Sequence, residues 1–433
     1  MGFIYQIVIV AITSFYIFPI EFRFLPTVNT KMIMAVLGVV LFIINSIFKP
    51  GSILSWKIIN VALCAFLVSF VGIISVLFND TNDYTYALYF VSFLVWISAA
   101  YFVVGCIIFF HGYVSVKLVV KYLIAVAIAQ CFLAILIDQI VAIKDFVNSN
   151  VVGFASMFSA GDGLEKAGRL YGIGAALDVA GTRFCAILSM IGIMVYESYL
   201  FKNKKQMVLY VVLFTILFVV GSMISRTTGI ALFFLCIYYM AMSRRLKTNR
   251  SFWWIATISL SLLVMLVVVL YKTNTFFNEN LQFAFEGFFN YWETGLWRSG
   301  STETLKEMYI LPESLRTWII GDGYFDNPYF SDPYYVGESD KGLFYMGTDV
   351  GYLRFIYYFG MIGTLAFVIY FIVNTKQCVS KFPRNKWFFY ALLMMNLMIW
   401  LKVSTDIFCV FALFLCIPVE ENDKYEERLM FND

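Results

Sequence analysis

The chain has 433 residues, of which 61% are hydrophobic and 14% charged, with a net charge of +3. Soluble domains run at about 45–50% apolar and about 25% charged, so an ordinary cytosolic enzyme and a disordered chain are both excluded. The apolar residues gather in runs of about 17 to 25 with almost no charge, the length that crosses a hydrocarbon core of about 30 Å as a helix. The expected architecture is a single all-α membrane domain over 1–433.

In chain order, spans are expected near 3–20, 31–48, 58–78, 86–110, 118–137, 175–200, 206–222, 228–242, 252–271 and 351–373. A last apolar stretch, 387–418, is too long for one straight span and holds Lys402 and Asp406 near its middle. It reads as two short helices or a broken one, which brings the total to eleven or twelve. The i, i+4 spacing of Lys402 and Asp406 suits a helical ion pair. The first span has neither the basic leader nor the small-residue cleavage site of a secretory signal. Gln6 departs from the myristoylation pattern. No internal repeat is visible.

Basic residues in short loops set the expected orientation. One face carries Lys49, Lys57, Lys117, Lys121, Lys202, Lys204, Lys205, Arg244, Arg245, Lys247, Arg250, Lys376, Lys381, Arg384 and Lys386; the other carries Arg23, Lys31 and Arg226. The asymmetry implies a cytoplasmic N-terminus and two long outward loops, 138–174 and 272–350.

Seven cysteines lie inside apolar runs and Cys378 in a basic connecting loop, the pattern of small buried hydrophobes rather than of a disulfide framework. There is no GxxxxGK[ST] loop, no HExxH and no CxxC. Gly172 and Gly174 form a GxG whose third glycine position is Leu177, so a dinucleotide site is not supported. His111, the only histidine, falls in a cytoplasmic turn, which leaves an outward zinc site or Ser-His-Asp triad without a histidine. No cofactor, metal or nucleic-acid partner is expected.

The 272–350 segment differs from the rest. It has twelve carboxylates, five basic residues and nineteen aromatics, too many aromatics for a disordered loop. A folded cap is expected, with short helices at 279–290 and 301–311. Aromatic faces beside carboxylates suit sugar rings; Trp297, Tyr324, Asp322 and Tyr345 are the candidates. The competing reading is that these aromatics pack the cap and the membrane interface, and that Asp322 is a turn residue in Gly-Asp-Gly.

Outward arginines are scarce. Arg169 ends the first long loop, Arg183 lies about two turns into the following span, Arg226 sits at a span end, Arg298 follows Trp297, and Arg354 opens the span after the cap. Arginine in or beside a bilayer is costly and usually faces a polar cavity, and its planar fork matches phosphate oxygens. These five suggest a lipid-linked phosphate or diphosphate. Structural pairing with Asp178, Asp349 or other carboxylates competes with that reading. Asp349 also suits a helix N-cap for the span opening near Gly351, as does Thr348.

At this point the pattern resembles a known family. RLYGIGAALDVAGTRFCAIL (169–188) resembles the Arg-x-x-Gly entry into a span in bacterial O-antigen polymerases and O-antigen ligases. GSMISRTTGIALFFL (221–235) is similar to their Ser-Arg motif at a span end. Trp297 and Arg298 through IIGDGYF (319–325) resemble the outer loop in which an arginine precedes Gly-x-Gly, and TDVGYLRFIYYFGMIGTLAFVIYF (348–371) resembles the segment that re-enters the membrane. Each motif is short; their order and spacing carry the resemblance over most of the chain. The Arg-x10-Gly spacing of some polymerases is not met, because that position is Ala180.

The resemblance implies a polytopic, GT-C-like helical membrane glycosyltransferase in the bacterial inner membrane with a periplasmic active site. Its donor would be an oligosaccharide on undecaprenyl diphosphate. Arg169 and Arg298 match the family arginines that hold the diphosphate, with Arg226, Arg183 and Arg354 as further candidates. Ligases carry a histidine where this chain has Asp349, which favours the polymerase. The implied reaction is metal-independent: Arg298 stabilises the leaving diphosphate and Asp349, or less favourably Asp322 or Glu303, serves as base. A flippase and a chain-length regulator of the same pathway are the implied partners. The competing classes are a lipid-linked oligosaccharide flippase, an O-antigen ligase and a non-enzymatic assembly partner.

Overall fold

The computed structural model describes residues 2–48, 56–152, 170–246, 250–296, 298–330, 335 and 343–418. In chain order the helices are α1 (Phe3–Ile17), α2 (Thr30–Phe48), α3 (Trp56–Asn79), α4 (Tyr89–His111), α5 (Val116–Gln139), α6 (Val141–Asn150), α7 (Leu177–Leu200), α8 (Lys204–Ile224) and α9 (Ile230–Leu246). They continue as α10 (Arg250–Thr273), α11 (Thr275–Ala284), α12 (Glu286–Thr294), α13 (Gly300–Glu307), α14 (Leu315–Ile319), α15 (Gly351–Lys381), α16 (Lys386–Ile399) and α17 (Phe408–Cys416). Among the described residues, seven helices are long and apolar enough to cross a membrane: α2, α3, α4, α5, α7, α8 and α15.

The chain forms two compact units, Met1–Ile33 with Phe109–Arg298, and Met34–Ile108 with Ser299–Asp433. The boundary falls inside the segment expected as one cap. The helices there also differ from those expected at 279–290 and 301–311: Phe285 interrupts the first, and the second stops at Glu307.

In the first unit, α7 packs against α5, α8 and α9. Of its most apolar stretch, 89% is buried. α1 packs on α5 and ends at Ile17, three residues short of the expected span. The chain then makes a feature not expected of an all-α protein: β1 (Glu21–Phe22) pairs antiparallel with β2 (Leu25–Asn29) and with β3 (Val151–Val152). Thr30 ties this turn to α1, accepting from Ile20 N (3.1 Å) and donating to Phe15 O (2.9 Å). Polar side chains cap the helix starts that the sequence leaves short of donors' partners: Ser115 Oγ accepts from Leu118 N, and Asn203 Oδ1 from Gln206 N.

In the second unit, α15 is the hub, packed on α3, α14, α16 and α17. Its neighbours are largely aromatic. Phe367 stacks on Trp400 at 4.9 Å, and Tyr86 meets Phe325, Phe355, Phe359 and Phe367 edge-on at 5.2–5.6 Å. Such pairs contribute about 0.5–1.5 kcal/mol each beyond area burial. In a bilayer, where burial against lipid gains little, this close packing is what holds helices together.

α15 is broken. Phe359 (φ −136°) and Gly360 (φ 66°, ψ −171°) leave helical geometry, and the left-handed Gly360 is tolerated because it has no Cβ. The carbonyls released by the break are taken up from outside the helix. Tyr357 O accepts from Asp322 N at 2.6 Å. Tyr358 O accepts from Gly323 N at 3.1 Å and from Ser75 Oγ at 2.6 Å. The approach is backbone to backbone: Gly321 has φ +86°, and a Cβ there would lie 2.6 Å from Phe359 N. Asn79 and Thr81 hold the same loop by donating to Gly321 O and Gly323 O.

A second break separates α16 from α17, so the 387–418 stretch is two short helices. Residues 400–407, which hold Lys402 and Asp406, are non-helical, so the two are not spaced along a helix. Asp406 Oδ1 accepts from Phe408 N at 2.7 Å at the start of α17, and Asn396 Oδ1 accepts from Ile407 N. Five cysteines are buried, Cys236 is exposed, and Cys378 lies within α15, which runs on past its expected end at 373.

Candidate functional site

Arg354 draws polar and aromatic contacts from several segments. It sits one turn into α15, 6% exposed. Its Nη2 pairs with Asp326 Oδ1 at 2.6 Å and donates to Phe325 O at 3.1 Å. Its Nη1 lies 3.7 Å from Asp349 Oδ1 and donates to Ser404 Oγ at 3.0 Å. The Phe325 ring lies 3.5 Å and the Phe344 ring 4.4 Å from the guanidinium carbon. A cation over ring faces is stabilised by about 2 kcal/mol or more when water is excluded. Arg354 thus joins the 325–326 loop, the 344–349 approach to α15 and the 400–407 break.

Asp83 adds a third carboxylate. Its Oδ2 accepts from Phe325 N at 2.7 Å and Asp326 N at 3.3 Å. Its backbone carbonyl accepts from the Tyr358 hydroxyl at 2.8 Å. No local sequence pattern marks the turn that carries Asp83. Asp326, Ser404 and the two phenylalanines had no sequence signal, because what makes them matter is contact with Arg354 across long separations.

Asp349 is 21% exposed and reaches Arg354 rather than the end of α15. The residue before that helix is Val350, without a side-chain cap, and Thr348 Oγ1 accepts from Val350 N at 3.3 Å. The N-cap expectation for Asp349 is corrected accordingly: the salt bridge turns its carboxyl along the first turn.

Three of the four sugar-binding candidates cluster in the same unit. Tyr345 donates to Asp322 Oδ2 at 3.3 Å, and Tyr324 and Tyr345 lie 5.4 Å apart between ring centroids. Tyr335 and Tyr357 extend the group. Burial first, and then the Asp322 carboxylate, push the Tyr345 phenol well up, which keeps it a proton donor. Asp322 Oδ1 accepts from Thr317 Oγ1 at 2.7 Å and sits 3.6 Å from the exposed Arg316. Asp322 is therefore both a turn residue, through its backbone, and a member of a tyrosine cluster, through its carboxylate.

The remaining candidates lie away from this cluster or outside the described residues. Arg183 is buried in α7, donates to Ile17 O and faces the Phe18 ring at 5.7 Å. It thereby supplies a cation to the carbonyl end of α1, a favourable position for one. Arg226 follows α8, pairs with Glu286 at 2.8 Å, donates to Phe283 O at 2.7 Å and lies over the Phe283 ring at 4.1 Å. Arg298 is exposed, and its carbonyl accepts from Asn290 Nδ2 at 2.7 Å. Glu303, the minor base candidate, opens α13 in the second unit. Arg169 and Trp297 lie outside the described residues.

The Arg354 guanidinium can fix the direction of the Asp326 and Asp349 carboxylates, while burial pushes the Asp326 carboxyl up by more than the guanidinium lowers it. The tyrosines beside Asp322 offer flat faces and hydroxyls. Comparison with protein families, with characterised proteins and with solved structures returns no match to this chain.

Proposed function

We propose that the chain is a membrane glycosyltransferase of GT-C-like architecture that polymerises oligosaccharide repeat units carried on undecaprenyl diphosphate, an O-antigen polymerase. The setting is the bacterial inner membrane, with the N-terminus cytoplasmic and the active site periplasmic. The observation that carries the reading is the Asp349–Arg354 pair. It places a partly exposed carboxylate beside a buried guanidinium at the mouth of a span, within the segment that resembles the family's membrane re-entry.

Asp349 takes the proton from the acceptor sugar hydroxyl. That oxygen bonds to the anomeric carbon of the donor as the carbon's bond to the diphosphate breaks, and the diphosphate leaves with the electron pair. Arg354 orients Asp349 through the salt bridge between them. The family resemblance assigns the charge developing on the diphosphate to Arg298 and Arg169, and Arg226, paired with Glu286, is a weaker candidate. Asp322, Tyr324 and Tyr345 bind sugar. A flippase delivers the substrate and a chain-length regulator acts on the product.

A second reading has its own support. α15 is broken at 359–360 and the last apolar stretch at 400–407, and broken helices lined by charged groups are typical of transporters. A lipid-linked oligosaccharide flippase is the alternative. A surface-glycan ladder from a null strain separates the two. Loss of a polymerase leaves single repeat units at the surface; loss of a flippase leaves none. In the complemented strain, Asp349→Asn and Arg298→Lys reduce the ladder to single units while protein levels hold. Long chains with Asp349→Asn would remove that residue as the base.

A further inference from the structure

We propose that α12 lies flat in the membrane interface, with Phe288, Tyr291 and Trp292 set among lipid. The inference is independent of the glycosyltransferase reading.

The helix is held between the end of α8, which is long and apolar enough to cross a membrane, and the C-terminal end of the apolar α10. On one side, Arg226, just past the end of α8, pairs with Glu286 at 2.8 Å and binds Phe283 O. On the other, the Tyr271 ring, two residues from the end of α10, packs on Phe289 at 4.5 Å, and its hydroxyl accepts from Gln282 at 3.1 Å. Phe285, at the head of α12, meets Phe218 of α8 at 5.7 Å. Ends of membrane-crossing helices mark the boundary between hydrocarbon and headgroups.

At that depth α12 is amphipathic. Phe288, Tyr291 and Trp292 recur at i, i+3 and i+4, on one face. They are 64%, 58% and 89% exposed, and Leu262, Met265 and Val269 of α10 are exposed as well. Glu286, Asn290 and Glu293 occupy the other face. Large aromatics left bare in water are costly, whereas Trp and Tyr are favoured at headgroup level. A helix with this pattern lies about 5–10 Å into the headgroup boundary. α12 itself has two glutamates and no lysine or arginine. Its attachment therefore comes from aromatic burial and not from attraction to anionic lipid.

The test uses the full-length protein carrying benzoylphenylalanine at Trp292 or, on the opposite face, at Glu293, reconstituted in phospholipid vesicles and irradiated. Mass spectrometry is expected to find phospholipid adducts several-fold more abundant at 292 than at 293. The yield at 292 should be equal in zwitterionic vesicles and in vesicles rich in phosphatidylglycerol. If the probe at 292 prevents folding, Phe288 takes its place. Equal adducts on both faces, an adduct only to a second copy of the chain, or no lipid adduct at either 288 or 292 overturns the proposal. Loss of polymer in cells has no bearing on this readout, so the two proposals fail separately.

Discussion

Arg354 and Arg226 are built from the same parts and do different work. Each guanidinium stands near the end of a membrane-crossing helix, pairs with a carboxylate, donates to a backbone carbonyl and lies over a phenylalanine ring. Arg226 pairs with the carboxylate of Glu286 at 2.8 Å. Around Arg354, Asp326 and Asp349 both reach the guanidinium, and Asp83 holds the backbone of the same loop. A phosphate approaching Arg354 would meet two negative charges already in place. The lesson is that a buried arginine at a span end is not by itself an anion site. Arg354 acts as a positioning residue for carboxylates, and Arg226 as a rivet for the segment after α10.

The largest expected effect separates the two. Arg354→Ala removes the charged hydrogen bonds of a buried guanidinium, about 1.5–3 kcal/mol, and its contacts with two rings, about 2 kcal/mol, and should cost about 3–5 kcal/mol of stability. Thermal unfolding of the purified protein measures it, and a melting temperature equal to that of the parent would break the comparison. Arg226→Ala removes charged hydrogen bonds from a more open site and should cost about 1.5–3 kcal/mol. If its loss exceeds that of Arg354→Ala in the same assay, the difference in burial is not what ranks them. Asp326→Asn should be the mildest. Its side chain is 61% exposed, so water screens the pair and the loss should stay at about 1 kcal/mol or less. A larger loss would make Asp326, rather than Asp349, the partner on which Arg354 depends.

Much of the fold was legible because a bilayer demands long uncharged runs. Residues 31–48, 58–78 and 118–137 become α2, α3 and α5 with ends shifted by only a few positions. The break near Lys402 and Asp406 was legible for the same reason, since charge interrupts the run. The break at Phe359–Gly360 was not: its neighbours are apolar, and one glycine in a span is ordinary. The short sheet was also hidden, as two-residue strands have no period to read. At the candidate site, Arg354 and Asp349 were found through type and position. Asp83 and Asp326 were not, because their importance lies in contacts between segments about 240 residues apart, and no local pattern encodes them.

The broken α15 also has a consequence for how the protein is made. Among the described residues, the donors to its released Tyr357 and Tyr358 carbonyls precede it in the chain: Ser75 by a long interval, Asp322 and Gly323 by a short one. During synthesis the ribosome therefore releases the receiving groups first. When Tyr357 and Tyr358 reach the insertion machinery, their hydrogen-bond donors are already waiting, so the discontinuity need not be stranded in lipid while the rest of the chain is translated.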